Sequence, residues 1–242
     1  GGANFVLTYQ ALVRRNARPL LRDEELRLYL ALLAAGALLL LLEISSEGFF
    51  AGEEAIRHSV FEAVATMTTT GYANSDFNQW TALTTFVLVG GMLVSASAGS
   101  TAGGIKLVRH VLITKMLRRE LAQTIHPERV MPIRLSGSPI DEGALRAIVV
   151  FAFIYVGAVV AGALILLLDA ARADVSLSPF QALAATASTL ASVGPGFGFA
   201  GPMGSFDPFS DVSKLVLTAL MWLGRLEIIP ILVLFTRSYW RV

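Results

Sequence analysis

The sequence predicts an all-α integral membrane fold built from two successive repeats. Each repeat is a span, a short re-entrant helix, a glycine-bearing loop and a second span. Three observations carry this reading. The chain is 55% hydrophobic and 15% charged, whereas a soluble domain carries about 25% charged residues. Four long stretches are nearly free of charge. Two short motifs, "ATMTTTGY" (Ala65–Tyr72) and "STLASVGP" (Ser188–Pro195), stand at corresponding distances from the start of the first and third stretches.

The first span covers Leu28–Leu42, which is wholly uncharged, with Ile44 as an extension. Arg57–Thr68 comes next, apolar but too short to cross a bilayer, and it runs into "TMTTTGYANSDF" (Thr66–Phe77). The β-branched Thr66, Thr68, Thr69 and Thr70 favour extended backbone, and Gly71 opens angles that other residues resist. A helix therefore ends here and leaves its carbonyls exposed. The second span, Trp80–Ile105, carries no charge, but "SASAGSTAGG" (Ser95–Gly104) places three glycines and three serines in its second half. Each glycine costs a helix about 1 kcal/mol relative to alanine, so residues 95–104 are expected to unwind into an intramembrane loop. Unwound backbone at membrane depth is tolerated only against protein or a water-filled cavity.

Ala147–Leu168 is the third span, uncharged throughout and about 33 Å long as a helix, enough for the ~30 Å hydrocarbon core. Ser178–Leu190 is the second short helix and leads into "SVGPGFGFAGP". Leu215–Thr236 is expected as a continuous fourth span, although it contains Arg225 and Glu227. In domain terms, residues 1–24 are the end of a preceding repeat and a cytoplasmic linker. Residues 25–122 form the first repeat, 123–143 a connector, and 144–242 the second repeat.

Basic residues set the orientation. Arg14, Arg15, Arg18, Arg22 and Arg27 precede the first span, eight Lys and Arg lie between Lys106 and Arg146, and Arg237 and Arg241 sit in the tail. Fifteen of the 19 basic residues thus share one side, expected to be cytoplasmic. The N-terminal segment, connector and C-terminus are then inside, and both short helices dip in from outside. His58, His110 and His126 are too scattered to suggest a metal site, there is no cysteine, and neither a cofactor nor a nucleic-acid partner is expected. "GSTAGGIK" (Gly99–Lys106) imitates a phosphate loop, but Ile105 intervenes before the lysine and no Ser or Thr follows it. The spans carry no catalytic constellation, which argues against a membrane-embedded enzyme.

The two loops suggest ion chemistry. A potassium filter replaces the hydration shell with backbone carbonyls, and its familiar sequence is Thr-Val-Gly-Tyr-Gly. Residues 68–73 and 191–196 offer two variants of it. The candidate filter residues are Thr68, Thr69, Thr70, Gly71 and Tyr72 in the first loop, and Ser192, Val193, Gly194 and Pro195 in the second. Backbone carbonyls of Thr69, Thr70, Gly71, Ser192, Val193 and Gly194 are the expected ligands for potassium, the transported substrate. The negative C-terminal end of each short helix favours a cation there. Two loops cannot surround an ion, so either dimerisation or a longer chain must complete the ring. Gly99, Ser100, Thr101, Ala102, Gly103 and Gly104, together with Arg225, are the candidate gate beneath the filter.

"FEAVATMTTTGYANSDF", "SASAGSTAGGIK", "STLASVGPGFG" and "WLGRLEIIP" closely resemble the membrane subunit of the Trk/Ktr/HKT superfamily of potassium transporters, particularly bacterial TrkH-type proteins. The resemblance implies four consecutive repeats, of which this chain supplies the third and fourth, half of a pseudo-fourfold pore like that of a potassium channel. "GGANF" would end the second, making the chain part of a longer subunit. It further implies potassium uptake through a gated filter, a homodimer in the bacterial inner membrane, a cytosolic nucleotide-binding regulatory ring, and an intramembrane loop at Ser95–Gly104. The alternatives are a sodium-permeable relative or a non-conducting structural subunit.

Overall fold

The computed structural model describes residues 2–15, 20, 22–237 and 239–240. Gly1, and Arg18 and Arg241 of the basic set, lie outside the described residues. A short α1 (Phe5–Leu12) precedes α2 (Glu24–Ser46), α3 (Gly52–Met67), α4 (Ala82–Val94) and α5 (Leu107–Ile125). An antiparallel hairpin, β1 (Arg134–Leu135) with β2 (Ser138–Pro139), follows. Then come α6 (Glu142–Arg172), α7 (Pro179–Leu190), α8 (Asp211–Arg225) and α9 (Ile228–Leu234).

Each long helix starts where its sequence supplies a cap. Asp23 accepts from the amide of Leu26 at the start of α2, and Asp141 from those of Gly143 and Ala144 at α6. Ser178 and Gln181 form a reciprocal capping box at α7, with Pro179 at the first helical position, where its missing N–H costs nothing. Among the described residues, α2 and α6 are long and apolar enough to cross a membrane. Large apolar side chains point outward from them: Phe153 is 77% exposed and Leu164 55%. That is the surface of a protein solvated by lipid rather than water.

The short helices sit inside. Ala182, Ala185 and Ala187 of α7 are fully or nearly buried, packed among Phe151, Tyr155, Leu166, Leu217 and Leu220. Small residues let backbones approach closely. At Gly224 of α8 an added Cβ would lie 1.7 Å from the carbonyl oxygen of Leu190, the last residue of α7. α3 is held likewise between α2 and α4, with Ala55 and Ala63 buried against Leu40, Leu88 and Met92.

Both second spans are broken. α4 ends at Val94, and the backbone stays non-helical until α5 begins at Leu107. The fourth span, expected to run unbroken over Leu215–Thr236, instead stops at Arg225, and α9 leaves at a 108° bend. Glu227 stands at the bend with φ +62°, its carboxylate 3.0 Å from Nη2 of Arg109 on α5. Pro230, with no N–H to bond the Leu226 carbonyl and a ring that crowds it, marks where a continuous helix fails. Glu227 occupies no helical face, and the bend carries its charge to a partner. The all-α expectation also omitted the hairpin, which is closed by Ser136 and Gly137, both at positive φ.

The two repeats share a further tie. Glu43, three residues before the end of α2, accepts through Oε1 from the hydroxyl of Thr81, the N-cap of α4, at 2.7 Å. Asp169, three residues before the end of α6, accepts through Oδ2 from the hydroxyls of Ser210, the N-cap of α8, and of Ser213. In each repeat an acid at the end of the first span therefore fastens the start of the last.

Candidate functional site

The two motif loops have the same backbone. α3 ends at Met67 and α7 at Leu190, each followed by one cap residue in helical geometry, Thr68 or Ala191. The next residues, Thr69 and Ser192, take positive φ of 52° and 57°, a conformation few non-glycine residues adopt. Two positions later Gly71 and Gly194 are positive again, at 70° and 120°. The amide of Thr70 donates to the carbonyl of Ala65 and that of Val193 to Ser188, both at 2.9 Å. The amides of Thr69 and Ser192 likewise reach Thr66 and Thr189. All these pairs stand at one constant offset in the chain, so the repeat extends from sequence to individual hydrogen bonds.

The loops also meet. A Cβ on Gly71 would lie 1.8 Å from the carbonyl oxygen of Val193 and 3.1 Å from Cδ of Pro195, so glycine is required for the approach as well as for its φ. Gly194 has open space around it, with nothing within 4 Å of such an atom. Thr70 and Gly194 are exposed, and Tyr72 is 72% exposed. A cavity of 590 Å³ opens beside Gly71, Ser192, Val193, Gly194 and Pro195 and is walled on its far side by α8.

Residues 95–104 lie directly against these loops. The amide of Gly103 donates to Oγ1 of Thr69 at 3.3 Å, and a Cβ on Gly103 would stand 2.4 Å from the carbonyl oxygen of Ala191. Ala102, Gly103 and Gly104 are buried, while Gly99 and Thr101 are exposed. Ser95 leaves α4 at φ 58°, and its hydroxyl donates to the carbonyl of Gly103, closing the loop on itself. Ser100 donates to the carbonyl of Ser97, and its own carbonyl accepts from Nζ of Lys106. Arg225, at the end of α8, donates through Nη1 to the carbonyl of Thr101. The structure thus brings together both motif loops, the unwound segment and the arginine of the last span.

Sequence reasoning passes over Glu25 and Glu62 and meets Glu227 only as a charge in the fourth span; all three acids hold these parts. Glu25 is 6% exposed and accepts through Oε1 from the amides of Ala98 and Val108, one inside the unwound segment and one just after it. Glu62, 1% exposed on α3, accepts from the amide of Asn74. Glu227 pairs with Arg109, whose guanidinium also lies 3.8 Å over the Phe151 ring. A signal is present, since an ionisable residue in an apolar membrane segment marks a functional position by default. Read by hydropathy alone, Glu62 and Glu227 are only interruptions of otherwise apolar stretches, and Glu25 is one charge in the run "RDEELR".

Among the described residues, no three His, Cys, Asp or Glu side chains group as a metal site would need. The fold and these loops define a helical membrane protein whose short buried helices deliver paired polar loops to one place.

Comparison with known proteins makes the class specific. A family model described as TrkH, cation transport protein, matches residues 1–241, and the chain belongs to that family. The family is one of transporters rather than enzymes, and membership together with the apolar helices makes this a bacterial inner-membrane protein. The Trk system potassium uptake protein TrkI of Halomonas elongata is 35% identical over the whole chain, which covers 48% of that relative. The potassium uptake protein TrkG of Escherichia coli is 31% identical over 98% of the chain and 47% of its own length. The crystal structure of the potassium transporter TrkH from Vibrio parahaemolyticus superposes with a TM-score of 0.87 at 28% identity, covering 99% of this chain and 50% of that one. The chain thus spans about half the length of the relatives it matches.

Proposed function

We propose that this chain supplies two of the four loop repeats of a potassium uptake pore, with residues 25–122 and 144–242 as the repeats and 123–143 as the cytoplasmic connector. One observation supports the reading above the others. Two loops with the same unusual backbone, at a constant offset, approach so closely that Gly71 admits no side chain against Val193. Backbone carbonyls at the negative ends of two buried helices present oxygen to a cation. Carbonyls of Thr69, Thr70, Gly71, Ser192, Val193 and Gly194 coordinate the ion in this reading, and potassium follows from the relatives' described substrate. Two further loops complete the ring, as the relatives' roughly double length accommodates.

Beneath the filter, residues 95–104 and Arg225 form the gate. The contact of Gly103 with the loop at Ala191 supports placing the segment in the ion's path, and the Arg225 bond to Thr101 supports a closed state. The basic connector and both termini face the cytoplasm. There a nucleotide-binding ring regulates a homodimer of the full-length subunit, a partner set carried by the family resemblance. Rubidium uptake into liposomes bearing the full-length subunit, run beside sodium, tests the reading. Uptake of rubidium over sodium is expected. Equal uptake of both ions favours a sodium-permeable transporter, and no uptake of either leaves a structural subunit.

A further inference from the structure

The first loop leaves the site along Tyr72–Asn74, and two side chains one turn apart on α3 hold that segment. Oε1 of Glu62 accepts the amide of Asn74 at 3.0 Å. Nδ1 of His58 donates to Oδ1 of the same residue at 2.8 Å, and its ring stacks on Phe50 with centroids 4.0 Å apart. Burying a carboxylate is costly unless it is hydrogen-bonded, yet Glu62 is 1% exposed on an otherwise uncharged stretch of helix. The second loop is held by other means. Ala185 stands at the position matching Glu62, and Gln181 at that of His58. There the hydroxyl of Ser188 accepts from Gly194, and Asn78 of the first repeat clasps Gly198, accepting from its amide and donating to its carbonyl. The acid is therefore not a requirement of the loop's shape, since the same backbone forms without it.

We infer that Glu62, backed by His58, is a positioning group for ion selection: it holds Asn74, and through it keeps Gly71 seated against the carbonyl of Val193. This rests on the filter reading of the two loops. Asn74 lies three residues beyond Gly71, and that short tether sets how far the loop can recede from its neighbour. Without it the Gly71–Val193 approach relaxes, and the carbonyls no longer hold a spacing that separates potassium from sodium.

The test uses the full-length subunit in liposomes, measuring potassium and sodium permeability with Glu62→Ala, Glu62→Gln, Glu62→Asp and Gly71→Ala. Losing one typical hydrogen bond is worth about fivefold in an equilibrium, so Glu62→Ala should lower the potassium-to-sodium ratio by about that factor. Glu62→Gln keeps an acceptor oxygen and should hold the ratio within about twofold of the parent. A merely structural acid lowers folded protein and both fluxes together while the ratio stands, and that result overturns the proposal. If Glu62→Ala does not fold, Glu62→Asp draws the carboxylate back by one methylene; an unchanged ratio there is equally fatal. Gly71→Ala separates the two levels of argument. If it lowers the ratio while the Glu62 variants do not, the positioning role alone fails; if none of them moves it, the filter reading fails as well.

Discussion

Replacing Gly71 by alanine is the sharpest perturbation the structure offers. The new Cβ would stand 1.8 Å from the Val193 carbonyl oxygen and 2.8 Å from its carbon. Ordinary contact begins near 3.4 Å. One backbone must therefore move by about 1.5 Å relative to the other, because the obstacle is main chain and packed backbone does not yield as a flexible side chain does. The φ of +70° adds about 1–2 kcal/mol for any residue with a Cβ. Even 1.4 kcal/mol of lost preference between two ions is a factor of about ten. Potassium-to-sodium permeability in the reconstituted full-length subunit should accordingly fall at least tenfold. Because the collision occurs at Cβ itself, Gly71→Ser should be no worse than Gly71→Ala. Gly194→Ala, with open space around it, meets only the backbone strain of φ +120°, about 1–3 kcal/mol, which its own loop can relieve. Its effect should be the smaller. A Gly71→Ala protein with the parent's ratio, or a Gly194→Ala protein that discriminates worse than Gly71→Ala, would refute the reasoning.

Two other outcomes are expected. Arg225→Ala removes the bond to the Thr101 carbonyl, so under the proposed gate basal potassium flux without the regulatory partner should rise while ion preference stays. Flux no faster than the parent's in a folded protein moves the gate elsewhere. Cysteines placed at Asn74 or Ser205 should react with an impermeant thiol reagent outside whole cells, and one at Gln123 should not; the native chain has no cysteine to interfere. Reversed labelling inverts the topology.

The legible part of this fold is the part written in composition and local backbone preference. The first and third spans, both short helices, the motif loops and the unwinding at Ser95–Gly104 all come from hydrophobic length, β-branching and glycine placement. The break after Arg225 has a local signal, Pro230 in "LGRLEIIP", whose missing N–H and ring exclude a helical bond to the Leu226 carbonyl; the pairing of Glu227 with Arg109, more than a hundred residues earlier, has none. The ties of Glu43 to Thr81 and Asp169 to Ser210 are equally hidden. An acid near a helix end reads as a solvated terminus until the fold brings a hydroxyl to it. At the site itself, the approach of Gly71 to Val193 joins two halves of the chain, and only the assembled structure can reveal such a distance.

The broken second spans bear on how the protein enters a membrane at all. α4 has 13 residues and α8 has 15, whereas a helix needs about 20 apolar residues to cross the hydrocarbon core. Neither is long enough to be retained by hydropathy alone, and the polar backbone after Val94 resists transfer into lipid. α2 and α6 suffer no such shortfall and can partition as each emerges. The half-length helices must therefore settle onto surfaces already in place. Glu43, Asp169 and Glu25 supply them, offering carboxylate oxygens to the N-caps of α4 and α8 and to the Ala98 amide of the unwound segment. Each long helix thus carries, near its end, the carboxylate on which the start of its shorter neighbour is anchored.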